Sequence, residues 1–284
     1  MRLRAWTLLP LVAGMMLGGS RATSPIVLVI CSPGSAGNTV QAQPTLDAFA
    51  TAVQSAARWP AGSLSAIYFE QAEPGKERLS HSDAALALVS SPFFFEFRKR
   101  LSLQPVLEAV PEAGRGEVYS LVAKKGVIQS PTALSGWEIT GGAGFSPEFV
   151  RSVLLADWGS VPADARITFS ARPLTSLRRA ASGERLAVLL DREQAAALGT
   201  LPFAADLEVV QRSGTVPSGL LCLVSSRLPK PRMDALVKAL RGLKSSDAGR
   251  AALKSLRLSG FEPVDPLSLK ALAGPSIPAS GFKR

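Results

Sequence analysis

Between residues 117 and 224 the chain carries an ordered series of short signals that narrows what it can fold into. A strand over 117–123 leads through Lys124-Lys125-Gly126 and Leu134-Ser-Gly-Trp137 to a second strand. That strand breaks at Gly141-Gly-Ala-Gly144, and Ser146-Pro147 opens a helix. Gly183-Glu-Arg-Leu-Ala-Val-Leu-Leu-Asp191 follows, then Ser213-Gly-Thr-Val-Pro217 and a return strand over 220–224. Such a path enters a second lobe, builds an α/β unit there and crosses back. A ligand cleft between two lobes is its natural product.

The flanking sequence repeats the alternation. Residues 25–31 form a continuous apolar, β-branched run of the kind found in strands covered on both faces. A glycine- and serine-rich loop (32–39) precedes a helix over 44–57, with Leu46, Phe49, Ala50 and Val53 on one face. Strands are expected at 64–69, 83–89 and 106–110, and Ser91 is expected to cap a helix whose first residue is Pro92. The second series has strands at 138–140, 166–169 and 186–190, and helices opening at Ser146-Pro147, Arg172-Pro173 and Asp191. Two helices with basic faces, 232–243 and 247–258, close the fold. This pattern implies an α/β protein of two lobes, each a mixed, mostly parallel sheet flanked by helices.

An apolar fraction of 46% excludes a disordered chain, and 284 residues suffice for two lobes. Residues 1–22 read as an export signal. Arg2 and Arg4 precede an apolar run over 6–17, and Ser20-Arg21-Ala22 supplies small residues for cleavage. That run is too short to span a bilayer, so the mature chain is expected to be soluble and periplasmic or otherwise exported. Ile30 before Cys31 excludes a lipid anchor. Removing Arg2, Arg4 and Arg21 takes 32 Lys and Arg to 29, against 22 Asp and Glu, a net charge of +7. That excess favours anionic small molecules. Nucleic acid would need aromatics interleaved with a basic face, and the only tyrosines are Tyr68 and Tyr119. Cys31 and Cys222 lie in apolar strands and read as buried thiols rather than a disulfide, a choice that geometry decides.

Catalytic signals are poor. His81, the only histidine, lies in a polar turn. Pro33-Gly-Ser-Ala-Gly37 lacks the leading glycine of a nucleophile elbow. No His/Cys spacing suits a metal, and no cofactor fingerprint is complete: Gly141-Gly-Ala-Gly144 lacks its third glycine, and the next strand ends at Ser170 instead of an acid. Hydroxyls and bare amides outside strand ends remain. They give a candidate ligand set of Ser32, Ser35, Ser90, Ser91, Gly144, Ser146 and Asp191, with Ser91 and Ser146 facing each other across the cleft. Ser146 either meets an anion or caps its own helix. Asp191 either accepts from a ligand or caps the helix at Arg192, the latter being the nearer reading.

Taken in order, these segments resemble the substrate-binding proteins of ABC transporters, phosphate/phosphonate-binding type. The resemblance spans residues 25–265. It rests on Tyr119-Ser-Leu-Val-Ala with Leu134-Ser-Gly-Trp137, the Ser146 helix start, Gly183 to Asp191, and Ser213 to Pro217. Gly249-Arg-Ala-Ala-Leu253 and Gly260-Phe-Glu-Pro-Val-Asp265 extend it. Leu186 stands where the family's segment carries an acid, and Gly144-Phe-Ser146 keeps part of the family's helix start. The resemblance implies a type II periplasmic-binding clamp, with lobe 1 from 24–118 and 223–262, lobe 2 from 119–222, and a strap and tail over 263–284. It implies hinges at 119–124 and 220–224 and a small anionic, phosphonate- or phosphate-like ligand. The expected partner is an ABC permease, and the protein is expected to be a monomer with no enzymatic activity. The alternative is an exported sensory or accessory protein that uses the same clamp to signal to a membrane partner.

Overall fold

The apolar runs become the interior strands of two sheets in the computed structural model, which describes residues 25–35 and 37–273. The expected export signal and the end of the tail lie outside those residues. The first sheet contains β1 (Ile26–Cys31), β2 (Leu64–Phe69), β3 (Ala84–Ser90), β4 (Leu103–Pro111), β10 (Gly219–Val224) and β11 (Leu258–Glu262), in the order β11-β4-β10-β3-β1-β2. The second contains β5 (Ser120–Lys124), β6 (Glu138–Gly141), β7 (Arg166–Phe169), β8 (Leu186–Leu190) and β9 (Leu207–Arg212), in the order β7-β6-β8-β5-β9. In the first sheet β10 runs against β3 and β4, and β11 against β4; in the second, β5 runs against β8 and β9. The remaining strands of each sheet share one direction, so the sheets are mixed, as expected.

Helices cover both faces. On one face of the first sheet, α1 (Thr39–Ala57), α7 (Lys230–Arg241) and α8 (Asp247–Ser255) bury Leu46, Phe49, Leu236, Leu240 and Leu253 against Leu28, Leu86 and Leu221. On the other face, α3 (Ser91–Phe97) inserts Phe93 and Phe97 beside Val29, Val89 and Cys222. That second core does not stop at the sheet's end. It continues through Leu121, Ile139, Phe149 and Leu189 of the second lobe, so one apolar cluster runs through both. The outer face of the second sheet packs on α5 (Pro173–Ala181) through Leu177, Ala180, Leu186 and Val188. Leu186 is 1% exposed there, which explains an apolar residue where the resembled family carries an acid.

Several elements differ from the sequence expectation, each for a local reason. Helix α1 begins at Thr39 because the Asn38 side chain accepts from the Gln41 amide, and Pro44 lies inside the helix rather than at its start. Strand β11 was not anticipated; the helix expected over 247–258 stops at Ser255, and the turn at Arg257 (φ +56°) frees the chain for the sheet. The whole of β10 belongs to the first sheet. The chain therefore crosses back within 213–218, ahead of the boundary expected between 222 and 223. The helix α2 (Ala72–Ser80) was not among the expected elements, and it carries Pro74 and Gly75. In the fold Pro74 occupies the first turn, where its missing N–H costs nothing. Gly75 lets the helix lie directly on β1, because a Cβ there would overlap Cys31 Sγ.

Cys31 and Cys222 are buried and free. Burial, with Glu70 adding to it, pushes the Cys31 thiol up to about 12. Gly75→Ala should therefore cost about 1–3 kcal/mol in urea unfolding, as overpacking does. Adding Cys31→Ala should recover part of that loss. A double variant no more stable than Gly75→Ala would show that the helix–strand approach is not the constraint.

Candidate functional site

Two crossover segments, 112–119 and 213–218, join the sheets and are bonded to each other. The Glu117 amide donates to the Val216 carbonyl (2.6 Å) and the Val216 amide to the Glu117 carbonyl (2.9 Å). The Ser213 amide donates to the Tyr119 carbonyl (2.8 Å), and the Tyr119 amide to Ser213 Oγ (2.9 Å). A third segment grips this pair. It opens α6 (Arg192–Ala197), where the Arg192 guanidinium donates to the carbonyls of Ala113 (3.0 Å), Gly114 (3.3 Å), Arg115 (3.5 Å) and Gly116 (2.5 Å). The Arg192 amide donates to Glu117 Oε1 at 2.8 Å.

A cavity of about 580 Å³ opens beside these crossovers. It lies between α1, the carboxyl ends of β1, β3 and β4, the start of α6, and the turn from α8 into β11. A smaller space of about 90 Å³ reaches the second sheet at Gly142, Ala143 and Leu189. The two share Ser32, Ser35, Ser90, Glu117, Asp191 and Ser218 on their walls. Four of the seven residues expected from sequence (Ser32, Ser35, Ser90 and Asp191) thus come together here. Asp191 also caps α6: its Oδ1 accepts from the Gln194 amide (2.8 Å) while Gln194 Oε1 accepts from the Asp191 amide (3.3 Å).

The other three do not line the cavity. Ser91 caps nothing; Ser90 takes the cap position, and Ser91 Oγ donates to the Pro217 carbonyl at 2.5 Å. Ser146 Oγ donates to Glu96 Oε2 at 2.6 Å across the two lobes, beside the Phe95–Phe149 ring pair (5.4 Å between centroids). Ser91 and Ser146 therefore do not face each other over a ligand. Gly144 packs so closely on β7 that a Cβ would overlap the Thr168 carbonyl. The helix expected after Ser146 is a single α turn, α4 (Pro147–Phe149), continued by a π turn over Val150–Leu154, and its amide end is no long-helix anion site. Nearby, the loop at Gly34 (φ +85°) meets Gly142 of the opposite lobe backbone to backbone.

Sequence reasoning missed Glu117 and Ser218, because crossover residues read as ordinary strand and turn. Burial raises the Glu117 carboxyl above its ordinary value, opposed by the amides of Arg192 and Val118. Burial also raises Asp191, against the pull of the Gln194 amide. The hydroxyls of Ser90 and Ser218 are buried without a hydrogen-bond partner among the described residues.

The periplasmic substrate-binding proteins of ABC phosphonate transporters match residues 76–268 of this chain as a family. Comparison with curated proteins finds no match. Among solved structures, a Xanthomonas citri protein bound to ATP is similar at 18% identity, covering 88% of this chain and 95% of its own, with a TM-score of 0.69. The binding component of a Pseudomonas aeruginosa ABC phosphonate transporter follows at 15% identity, 87% and 84% coverage, and a TM-score of 0.61. PhnD1 of Prochlorococcus marinus in complex with methylphosphonate gives 13% identity, 88% and 97% coverage, and a TM-score of 0.59. These likenesses are to the fold, and the fold is that of the type II periplasmic-binding proteins.

A carboxyl held above its ordinary value binds its proton more tightly folded than unfolded. It therefore stabilises at low pH, and that contribution is lost as pH rises from the ordinary 4.5 of Glu117 through the folded value. Glu117→Gln keeps an acceptor for both amides and cannot ionise. Its melting temperature should fall less than that of the parent as pH rises from 4.5. Parallel curves would place the ionisation elsewhere.

Proposed function

The chain belongs to the periplasmic phosphonate-binding family of ABC-transporter substrate-binding proteins, and from that membership we propose that it captures a small molecule between its lobes and delivers it to an ABC permease. The observation that carries this is the shared wall of the two cavities. Residues from β1, β3, both crossovers and the start of α6 converge there, so a bound molecule touches both lobes and the segments that join them. Lobe closure about the paired crossovers would bury it and present one closed surface to the permease. The family is one of solute-binding proteins rather than enzymes. Among the described residues no helix is long and apolar enough to cross a membrane, which suits a carrier that leaves the cell membrane to find its ligand.

The phosphonate- or phosphate-like anion expected from sequence is the family's chemistry, and the net charge of the mature chain favours it. The structural relatives have been solved with ligands as different as methylphosphonate and ATP. Capture and delivery therefore stand independently of the cargo. Native mass spectrometry of the protein purified gently from its own host should find one small molecule per chain, released on unfolding. Deleting the gene should abolish uptake of that molecule. A chain that carries nothing, or a deletion that leaves uptake intact, would remove the transport reading.

A further inference from the structure

We propose that the outer face of α7 and α8 is a docking surface for anionic phospholipid, which attaches the chain reversibly to a membrane. This goes beyond capture and does not depend on it.

The first ground is where the charge sits. Residues 25–229 hold eighteen Lys and Arg against eighteen Asp and Glu, and balance. Residues 230–257 hold eight Lys and Arg against two Asp, a net +6 out of the +7 of the mature chain. The basic excess therefore belongs to one segment, which comprises α7, the turn after it and α8.

The fold turns that charge to one side. α7 buries Leu236, Ala239 and Leu240, and α8 buries Gly249, Ala252 and Leu253. Lys238, Arg241, Arg250 and Lys254 are exposed on the opposite sides of the two helices. Both helices pack on α1 and β11 over the same face of the first sheet, so their outer sides turn the same way. Ion pairs do not cancel the field. Lys230 meets Asp234 (2.9 Å), Arg250 meets Asp247, and Lys244 lies 4.0 Å from Glu262, all of them exposed and weak. Lys238, Arg241 and Lys254 have no acid within pairing distance among the described residues.

The second ground selects the partner. The exposed large hydrophobic residues among those described are Val40, Val127, Phe169, Leu174 and Leu267, and none lies on α7 or α8. A stable protein interface is built on an apolar centre, which this face lacks. A plane of anionic headgroups asks for charge alone. At one edge the Arg232 guanidinium lies 4.6 Å from the centre of the half-buried Trp59 ring. An indole, apolar in body with one polar N–H, suits the depth of the headgroups. Each Lys or Arg beside an anionic surface contributes about fivefold to partition at low salt. Screening over about 10 Å at 0.1 M salt weakens that pull, so the attachment is one a carrier can leave and rejoin.

Co-sedimentation of the mature chain should be measured with phosphatidylcholine vesicles and with equimolar phosphatidylcholine–phosphatidylglycerol vesicles, at low and high salt. Binding is expected to the second kind only, and to be lost at high salt. Replacing Lys238, Arg241 and Lys254 together by Gln should weaken it about a hundredfold. The single variants, each about fivefold weaker, carry the same test if the triple variant does not fold. Replacing Lys99, Arg100 and Lys125 by Gln removes equal charge from exposed positions outside the segment and should leave binding nearly unchanged. Equal binding to both vesicles, binding that survives high salt, or an equal loss in the two triple variants overturns the lipid surface. Binding to polyglutamate but not to the vesicles assigns the face to an acidic protein and also overturns it.

Discussion

The grip of one guanidinium on four successive carbonyls is the interaction on which the rest of this architecture depends. Arg192 begins α6 in the second lobe, and residues 113–116 form the first crossover, so one side chain ties a helix start to the segment joining the lobes. A cation at a helix start opposes the helix dipole. The capping box of Asp191 with Gln194 and the acceptance of the Arg192 amide by Glu117 work against that cost. The arrangement couples the capping of α6, the course of the crossover and the burial of Glu117.

Much of the fold was legible because the interior strands are unbroken apolar runs. Ile26–Cys31 and Leu186–Leu190 announce themselves by composition alone, and the edge strand Leu64–Phe69 does so with one polar break, at Ser65. The strands that escaped notice are β9 and β11. β9 mixes Glu208, Gln211 and Arg212 with its valines, and β11 carries Gly260 at its centre. Their pairing is decided by neighbours distant in sequence. Helix α2 was hidden for a related reason: its proline and glycine are breakers in isolation, and only contact with Cys31 shows why the glycine is needed.

The candidate site was legible in part. Ser32, Ser35, Ser90 and Asp191 follow strand ends, and topology alone brings such residues to one cleft. Ser91 and Ser146 follow the same rule yet lie off the cavity wall, because each hydroxyl donates to a protein acceptor, the Pro217 carbonyl and Glu96. No pattern in the sequence says that Pro217 or Glu96 lies within reach.

The meeting of Gly34 with Gly142 has a consequence for how the lobes separate. The contact is made by backbone alone, with no side chain to repack or interdigitate. Parting there sacrifices almost no rotamer order and re-forming it restricts almost none. The contact thus works as a plain butt joint whose closeness depends on the side chain missing at Gly34, where a Cβ would lie 2.6 Å from the Gly142 Cα, and a side chain placed at residue 34 becomes a wedge between the two segments.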